Sequence, residues 1–82
     1  MEREDVIKKI IERCCVLFSK KPEELSEFTN FGQDLGAKSG NVSQMTNFLE
    51  DEYDIEVPYM EFRRKLTIGE AADFIVELLE EC

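Results

Sequence analysis

The chain contains no histidine and no tryptophan. Histidine is the side chain that most often acts as a general base near neutral pH, and it is a common metal ligand. Its absence therefore excludes much of ordinary enzyme catalysis. The cysteines do not replace it, because Cys14 and Cys15 are adjacent and point in different directions on a helix, while Cys82 is the last residue. That spacing fits neither a zinc site nor a CxxC redox pair.

Long hydrophobic runs are also missing, and the longest apolar run is far too short to span a bilayer. An odd number of cysteines without a secretory signal indicates a reducing compartment, so we expect a cytoplasmic protein. The length predicts a single domain, residues 1–82, with a thin core and no room for a deep active site. These features favour a module that other proteins handle over a self-sufficient enzyme.

Basic residues are outnumbered, with 10 lysines and arginines against 19 acidic residues and a net charge of −9. Such a surface repels phosphate backbones and anionic lipids, so we expect no nucleic-acid partner and no membrane insertion. It attracts proteins with basic docking patches. The simpler interpretation is solubility alone, because an excess of one charge is often only a solvated surface. We expect a monomer.

The hydrophobic residues that are present recur at helical spacing. The predicted helices cover residues 2–18, 39–53, 59–65 and 68–80, the third being only a short turn. Pro22, Gly32 and Gly36 argue against a helix between the first two, so we expect a long loop there. No segment shows the alternation of a strand. The predicted fold class is all-α: a small bundle of three main helices plus one short helix, with a long loop between the first two.

Two polar residues stand where helix N-caps are expected. Ser39 begins the second helix, where its side-chain oxygen can accept a hydrogen bond from a free N–H group of the first turn. Thr67 precedes the last helix, and Glu70 three residues later gives the capping-box spacing. We therefore predict that Ser39 is an N-cap at an exposed junction between the long loop and a helix.

Three blocks of sequence, in order, resemble the acyl carrier protein family. Residues 34–39 read Asp-Leu-Gly-Ala-Lys-Ser and are similar to the family's attachment segment, which typically reads Asp-Leu-Gly-Ala-Asp-Ser-Leu. Residues 41–58 repeat the family's apolar stripe, acidic run, aromatic residue and closing proline. Residues 67–71, Thr-Ile-Gly-Glu-Ala, resemble the start of the family's last helix. The resemblance covers nearly the whole chain.

This resemblance implies that Ser39 bears a covalent 4′-phosphopantetheine arm, on which acyl or similar groups are carried as thioesters. It implies a phosphopantetheinyl transferase as one partner, and acyl-loading and acyl-processing enzymes with basic docking patches as others. The carrier itself would perform no chemistry and hold no metal. The position of Ser39 agrees independently, because the free N–H groups and positive dipole end of a helix suit a phosphodiester. Taken alone, however, Ser39 would be an ordinary N-cap.

The chain departs from the family pattern around Ser39. Lys38 replaces the usual aspartate, and Gly40 replaces an exposed leucine that contacts partner enzymes in the family. Asn41 and Gln44 occupy positions that are commonly acidic. Charge complementarity governs partner choice, so we expect a specialised carrier with dedicated enzymes. The predicted partner contacts are Lys38, Gly40, Asn41, Gln44, Met45 and Arg63.

The basic run of residues 63–65, Arg-Arg-Lys, is unusual in so acidic a chain. It is interpreted either as a contact to an acidic partner surface or to the phosphate of the arm, or as a solvated turn that offsets nearby carboxylates. Several phenylalanines could fill the interior space that a cargo chain would otherwise occupy. They are Phe28, Phe31, Phe48, Phe62 and Phe74. This favours a short cargo or one that stays outside the bundle.

Three functions remain open. The first is a specialised carrier in fatty acid, polyketide, nonribosomal peptide or D-alanyl transfer chemistry, which the sequence does not separate. The second is a carrier-fold interaction module that is never modified, which Lys38 and Gly40 favour. The third is an enzyme, which is disfavoured because no nucleophile and base can be paired in the sequence.

Overall fold

The computed structural model describes residues 2–81, so Cys82 lies outside the described part of the chain. Its helices are α1 (Arg3–Phe18), α2 (Ser39–Tyr53), α3 (Tyr59–Phe62) and α4 (Ile68–Glu81), with a 3₁₀ turn at Pro22–Glu24. No strand occurs between residues 2 and 81; one isolated antiparallel bridge pairs Asn30 with Thr67. The all-α prediction of three main helices and a short one is therefore confirmed.

The helices begin and end where the local chemistry allows. The chain leaves α1 at Ser19 and α2 at Asp54, both in the left-handed conformation, with φ of 55° and 54°. Pro58, which has no N–H to donate, precedes α3. At α4 the N–H of Glu70 donates to the Thr67 hydroxyl oxygen at 3.2 Å, so Thr67 acts as the predicted N-cap.

The core lies between α1 and α4, which share the most extensive helix–helix contact, and α2 covers one side of it. From α1, Val6, Ile10 and Cys14 are fully buried at a spacing of four residues, which places them on one helix face. α2 contributes Met45 and Leu49, again four residues apart. Burying an aliphatic side chain of this size stabilises the fold by about 1.5–3 kcal/mol, so this stripe orients α2.

The long loop is ordered by its own hydrogen bonds. The Asn30 side-chain oxygen accepts from the N–H groups of Gly32 and Gln33, both at 2.9 Å. The Asp34 carboxylate accepts from the Asn30 N–H at 2.7 Å. The loop therefore turns around Asn30 and delivers the chain to α2 in a defined direction.

The same loop is joined to the start of α4. The Phe31 N–H donates to the Leu66 carbonyl at 2.9 Å, the Ile68 N–H to the Thr29 carbonyl at 3.1 Å, and the Gly69 N–H to the Glu27 carbonyl at 2.8 Å. Residues 27–31 and 66–69 are thus connected by backbone hydrogen bonds. We call this connection the loop–α4 seam.

Candidate functional site

Ser39 is the first residue of α2 and is exposed. The N-cap of α2 is Lys38, whose carbonyl accepts the first helical hydrogen bond, from the Val42 N–H at 3.0 Å. The prediction that Ser39 is the N-cap is therefore wrong. The physical reason is Asn41, whose side-chain oxygen accepts from the Lys38 N–H at 3.0 Å and makes Lys38, one residue before Ser39, the N-cap.

This arrangement leaves the Ser39 hydroxyl free, since it makes no hydrogen bond with any other residue from 2 to 81. The N–H groups of Ser39, Gly40 and Asn41 precede the first intrahelical bond, so the helix itself gives them no partner. The first turn of α2 contains no acidic residue. An exposed hydroxyl beside unpaired donors and the positive helix end suits the attachment of a phosphate group.

Gly36 positions the chain for this junction. Its φ is +63°, a left-handed conformation that glycine adopts without steric cost. The next N–H, that of Ala37, donates back to the Phe31 carbonyl at 2.9 Å, which holds the segment before Ser39 against the loop. The turn at Gly36 therefore presents Ser39 at the end of the bundle.

The predicted partner contacts fall into two groups. Lys38, Gly40, Gln44 and Arg63 are exposed, and Asn41 is half-buried with its carboxamide used by the cap. Met45 is only 2% exposed, so its side chain lies almost entirely inside the folded chain, and its contact with a partner stays a prediction. It lies one turn before the fully buried Leu49, on the core-facing side of α2.

A cleft of about 180 Å³ opens beside the start of α2 and reaches the connection between α3 and α4. Its apolar side chains are Phe18, Phe31, Ala37, Val42, Met45, Phe62 and Leu66, and its polar side chains are Asn30, Asn41, Arg63 and Lys65. The Phe31 and Phe62 rings are tilted against each other with centroids 6.4 Å apart. The sequence did not reveal this cleft, because its walls come from four separate segments.

The phenylalanines do not all fill the interior as expected. Phe62 and Phe74 are buried, Phe31 and Phe48 are partly buried, and Phe28 is 79% exposed. Phe28 lies in the loop, where its N–H donates to the Ser26 hydroxyl oxygen at 3.1 Å. Its ring therefore does not compete for interior space.

The acidic run at the far end of α2 is partly used by the fold. The Glu50 carboxylate accepts from the Val57 N–H at 2.9 Å, and Glu52 pairs with Lys9 at 2.9 Å. Asp51, Asp54 and Glu56 remain exposed. Negative charge thus lies away from Ser39, at the other end of the helix.

The Cys14 thiol is not available as a second reactive site. Burial raises the pKa of the Cys14 thiol to about 12, which keeps it protonated and inert. Among residues 2–81 no group of three or more cysteine, aspartate or glutamate side chains is arranged to hold a metal ion. None of the helices described is long and apolar enough to cross a membrane.

Known proteins resemble this chain over most of its length. No family model matches the sequence. The acyl carrier protein of Sulfurovum sp. (strain NBC37-1) is 35% identical over 72 residues, which cover 88% of this chain and 91% of that protein. The acyl carrier protein of Wolinella succinogenes is 32% identical over 72 residues, covering 88% and 90%.

Solved structures agree with the sequence comparison. The acyl carrier protein from Thermotoga maritima superposes with a TM-score of 0.80 at 28% identity, covering 99% of this chain and 94% of that one. The acyl carrier protein from Enterococcus faecalis gives a TM-score of 0.77 at 29% identity, covering 95% and 99%. Similarity of this extent in both sequence and fold shows that the chain belongs to the acyl carrier protein family.

Proposed function

We propose that this protein carries an acyl or related group as a thioester on a 4′-phosphopantetheine arm attached to Ser39. The observation that carries the proposal is the exposed, unbonded hydroxyl of Ser39 at the first position of α2, in a chain of this family. The residues present fit the arm: Lys38 and the unpaired N–H groups of the first turn favour a phosphodiester there.

The attachment step needs little from this chain. The Ser39 oxygen attacks the β-phosphorus of coenzyme A, the P–O bond of the pyrophosphate breaks, and adenosine 3′,5′-bisphosphate leaves. The hydroxyl proton passes to a base of the transferase, which agrees with a carrier that has no histidine. Once bound, the arm supplies a terminal thiol that forms the thioester.

The partners act on the cargo, and the carrier is not itself an enzyme in this proposal. They are a phosphopantetheinyl transferase and the acyl-loading and acyl-processing enzymes, which meet a single cytoplasmic, monomeric domain. The surface around the proposed attachment site includes two basic residues, Lys38 and Arg63. Lys38, Gly40, Asn41 and Gln44 are close to Ser39 in sequence, and Arg63 belongs to the lining of the cleft beside α2. Basic docking patches would be drawn to Asp51, Asp54 and Glu56 instead. This separation of charge favours a specialised pathway of fatty acid, polyketide, nonribosomal peptide or D-alanyl transfer chemistry.

The test is the intact mass before and after incubation with coenzyme A and a broad-specificity phosphopantetheinyl transferase. We expect the mass to rise by one phosphopantetheine group, Ser39→Ala to abolish the gain, and Ser43→Ala to retain it. Ser43 is a matched control because it is an exposed serine one turn further along the same helix.

A second candidate is a carrier-fold interaction module that is never modified. Lys38 and Gly40 favour it, because they flank Ser39 with a positive charge and a missing side chain. Its signature would be no mass gain under conditions that modify a control carrier. Lys38→Asp and Gly40→Leu, singly and together, would then be expected to restore modification.

A further inference from the structure

The lining of the cleft beside α2 differs in charge from the rest of the molecule. The chain has 19 acidic residues, yet none lines the cleft, whereas Arg63 and Lys65 do. The carboxamides of Asn30 and Asn41 add hydrogen-bonding groups to the same lining. An apolar cleft with cationic and amide groups at its edge fits an apolar chain that bears a negative group.

Neither cation has a carboxylate partner among residues 2–81, since no carboxylate there lies within 4.0 Å of the Arg63 guanidinium or the Lys65 ammonium. Their contacts are with uncharged groups. Arg63 reaches the Met60 sulfur at 4.0 Å, and the Lys65 ammonium lies 5.0 Å from the centre of the Phe74 ring. In a chain of net charge −9, two such side chains are available to an external anion.

The phosphate of an arm on Ser39 has other partners closer along the chain. They are the unpaired N–H groups of the first turn of α2 and the side chain of the neighbouring Lys38. Arg63 and Lys65 follow α3, in a segment of the cleft lining separate from that of Ala37 and Asn41. They are therefore available for a second negative group, that of the cargo.

We infer that the cleft receives a short acyl cargo that carries its own carboxylate, and that Arg63, together with Lys65, binds this carboxylate. The inference rests on the proposed function and specifies its substrate class. A cleft of about 180 Å³ is small beside the roughly 300–1,000 Å³ of a pocket that buries a drug-sized ligand. The fitting cargo is therefore a dicarboxylic acyl group of intermediate length, such as adipyl, rather than a long fatty acyl chain.

The test compares adipyl and hexanoyl cargo, which have the same number of carbons and differ in the terminal carboxylate. Each is loaded onto Ser39 from its coenzyme A thioester, and the intact mass confirms loading before any rate is measured. The readout is the rate at which hydroxylamine cleaves the thioester on the carrier, divided by the rate at which it cleaves the corresponding coenzyme A thioester. A cargo held in the cleft reacts more slowly.

We expect Arg63→Gln to accelerate cleavage of the adipyl form about two- to fivefold, the effect of one partly exposed ion pair, and to leave the hexanoyl form unchanged. Lys65→Gln should act in the same direction. Arg64→Gln is the matched control, because Arg64 is exposed in the same turn and does not line the cleft. Equal acceleration of both cargoes would assign Arg63 to the arm's phosphate or to packing and overturn the inference. So would an unchanged adipyl rate, or the same effect from Arg64→Gln.

Failure of the proposed function would appear separately, as a chain that gains no mass. In that case adipyl-pantetheine and hexanoyl-pantetheine are titrated as free ligands into the unmodified protein, with the amide resonances of Val42 and Leu66 as reporters. Adipyl binding that Arg63→Gln weakens two- to fivefold supports the inference about the cleft. Binding that is equal for both ligands, or absent, overturns it.

Discussion

The side chain of Asn41 accepts a hydrogen bond from the backbone N–H of Lys38 at 3.0 Å, and this bond spans Ser39. Capping from the third helical position fixes the start of α2 without using the serine oxygen. A serine that capped the helix itself would have its oxygen engaged by a backbone N–H. The Asn41–Lys38 bond therefore keeps the helix start defined and the Ser39 hydroxyl available at the same time.

Removing this bond should loosen the start of α2. We expect Asn41→Ala to lower the free energy of unfolding by about 1 kcal/mol, the usual cost of a lost cap. Asn41→Asp should preserve it, because the carboxylate keeps the acceptor and adds a negative charge near the positive helix end. Urea denaturation measures both. Equal stability of wild type and Asn41→Ala would show that the bond contributes nothing.

Two glycines on either side of Ser39 give opposite predictions. A Cβ at Gly40 or at Gly36 would meet no atom within 4 Å, but Gly36 has φ of +63° and Gly40 has helical geometry. We expect Gly40→Ala to stabilise the protein by up to about 1 kcal/mol and Gly36→Ala to destabilise it by about 1–2 kcal/mol. Thermal or urea unfolding of the pair is the measurement. Effects of the same sign would contradict the assignment of backbone conformation.

Gly69 is required by close packing rather than by conformation. A Cβ there would lie 3.0 Å from both the Glu27 carbonyl oxygen and an Arg3 nitrogen. The Glu27 carbonyl cannot retreat freely, because it accepts the Gly69 N–H at 2.8 Å. We expect Gly69→Ala to cost about 1–3 kcal/mol in unfolding free energy.

Gly32→Ala is the control for that experiment, since the nearest atom to its Cβ is the Asn30 side-chain oxygen at 3.6 Å. It should change stability by less than about 0.5 kcal/mol, as surface substitutions usually do. A comparable loss from both variants would remove the argument that the loop–α4 seam is tightly packed at Gly69.

Cys14 should make the stability depend on pH in alkaline solution. Burial raises the pKa of its thiol from 9.0 to about 12, so the unfolded chain releases this proton before the folded chain does. The stabilisation is fully present below pH 9 and is lost between pH 9 and 12, by about 1.4 kcal/mol per pH unit.

The measurement compares wild type with Cys14→Ala from pH 8 to 10. Cys14→Ala is expected to be less stable at pH 8, because it leaves a small cavity, but its disadvantage should shrink as the pH rises past 9. A difference that stays constant over this range would exclude a buried thiol with a raised pKa.

The sequence was sufficient to predict the helices because each carries several local signals that agree. The start of α2 at Ser39 and its end at Tyr53 match the prediction, and Thr67 caps α4 as its spacing with Glu70 indicated. Such signals act within one helical turn, so they can be identified without knowledge of the tertiary structure. The short third helix is shorter than expected and ends at Phe62.

The details of the candidate site depended on competition between neighbours, which spacing does not resolve. Ser39 and Asn41 can both cap a helix, and only the loop geometry before α2 decides between them. Met45 belongs both to the apolar stripe and to the turn that follows Ser39. The sequence alone therefore does not decide whether its side chain faces the core or the surface. The cleft joins segments far apart in sequence, and no local pattern encodes its volume.

The loop–α4 seam has a mechanical consequence. If a partner pulls on an arm at Ser39, the force passes to residues 34–38 and into the loop that the backbone bonds of Phe31 and Ile68 fasten to α4. The load is then shared with α4, and through it with α1, its most extensive neighbour. The proposed attachment point is therefore anchored to the core of the bundle, which would bear the force.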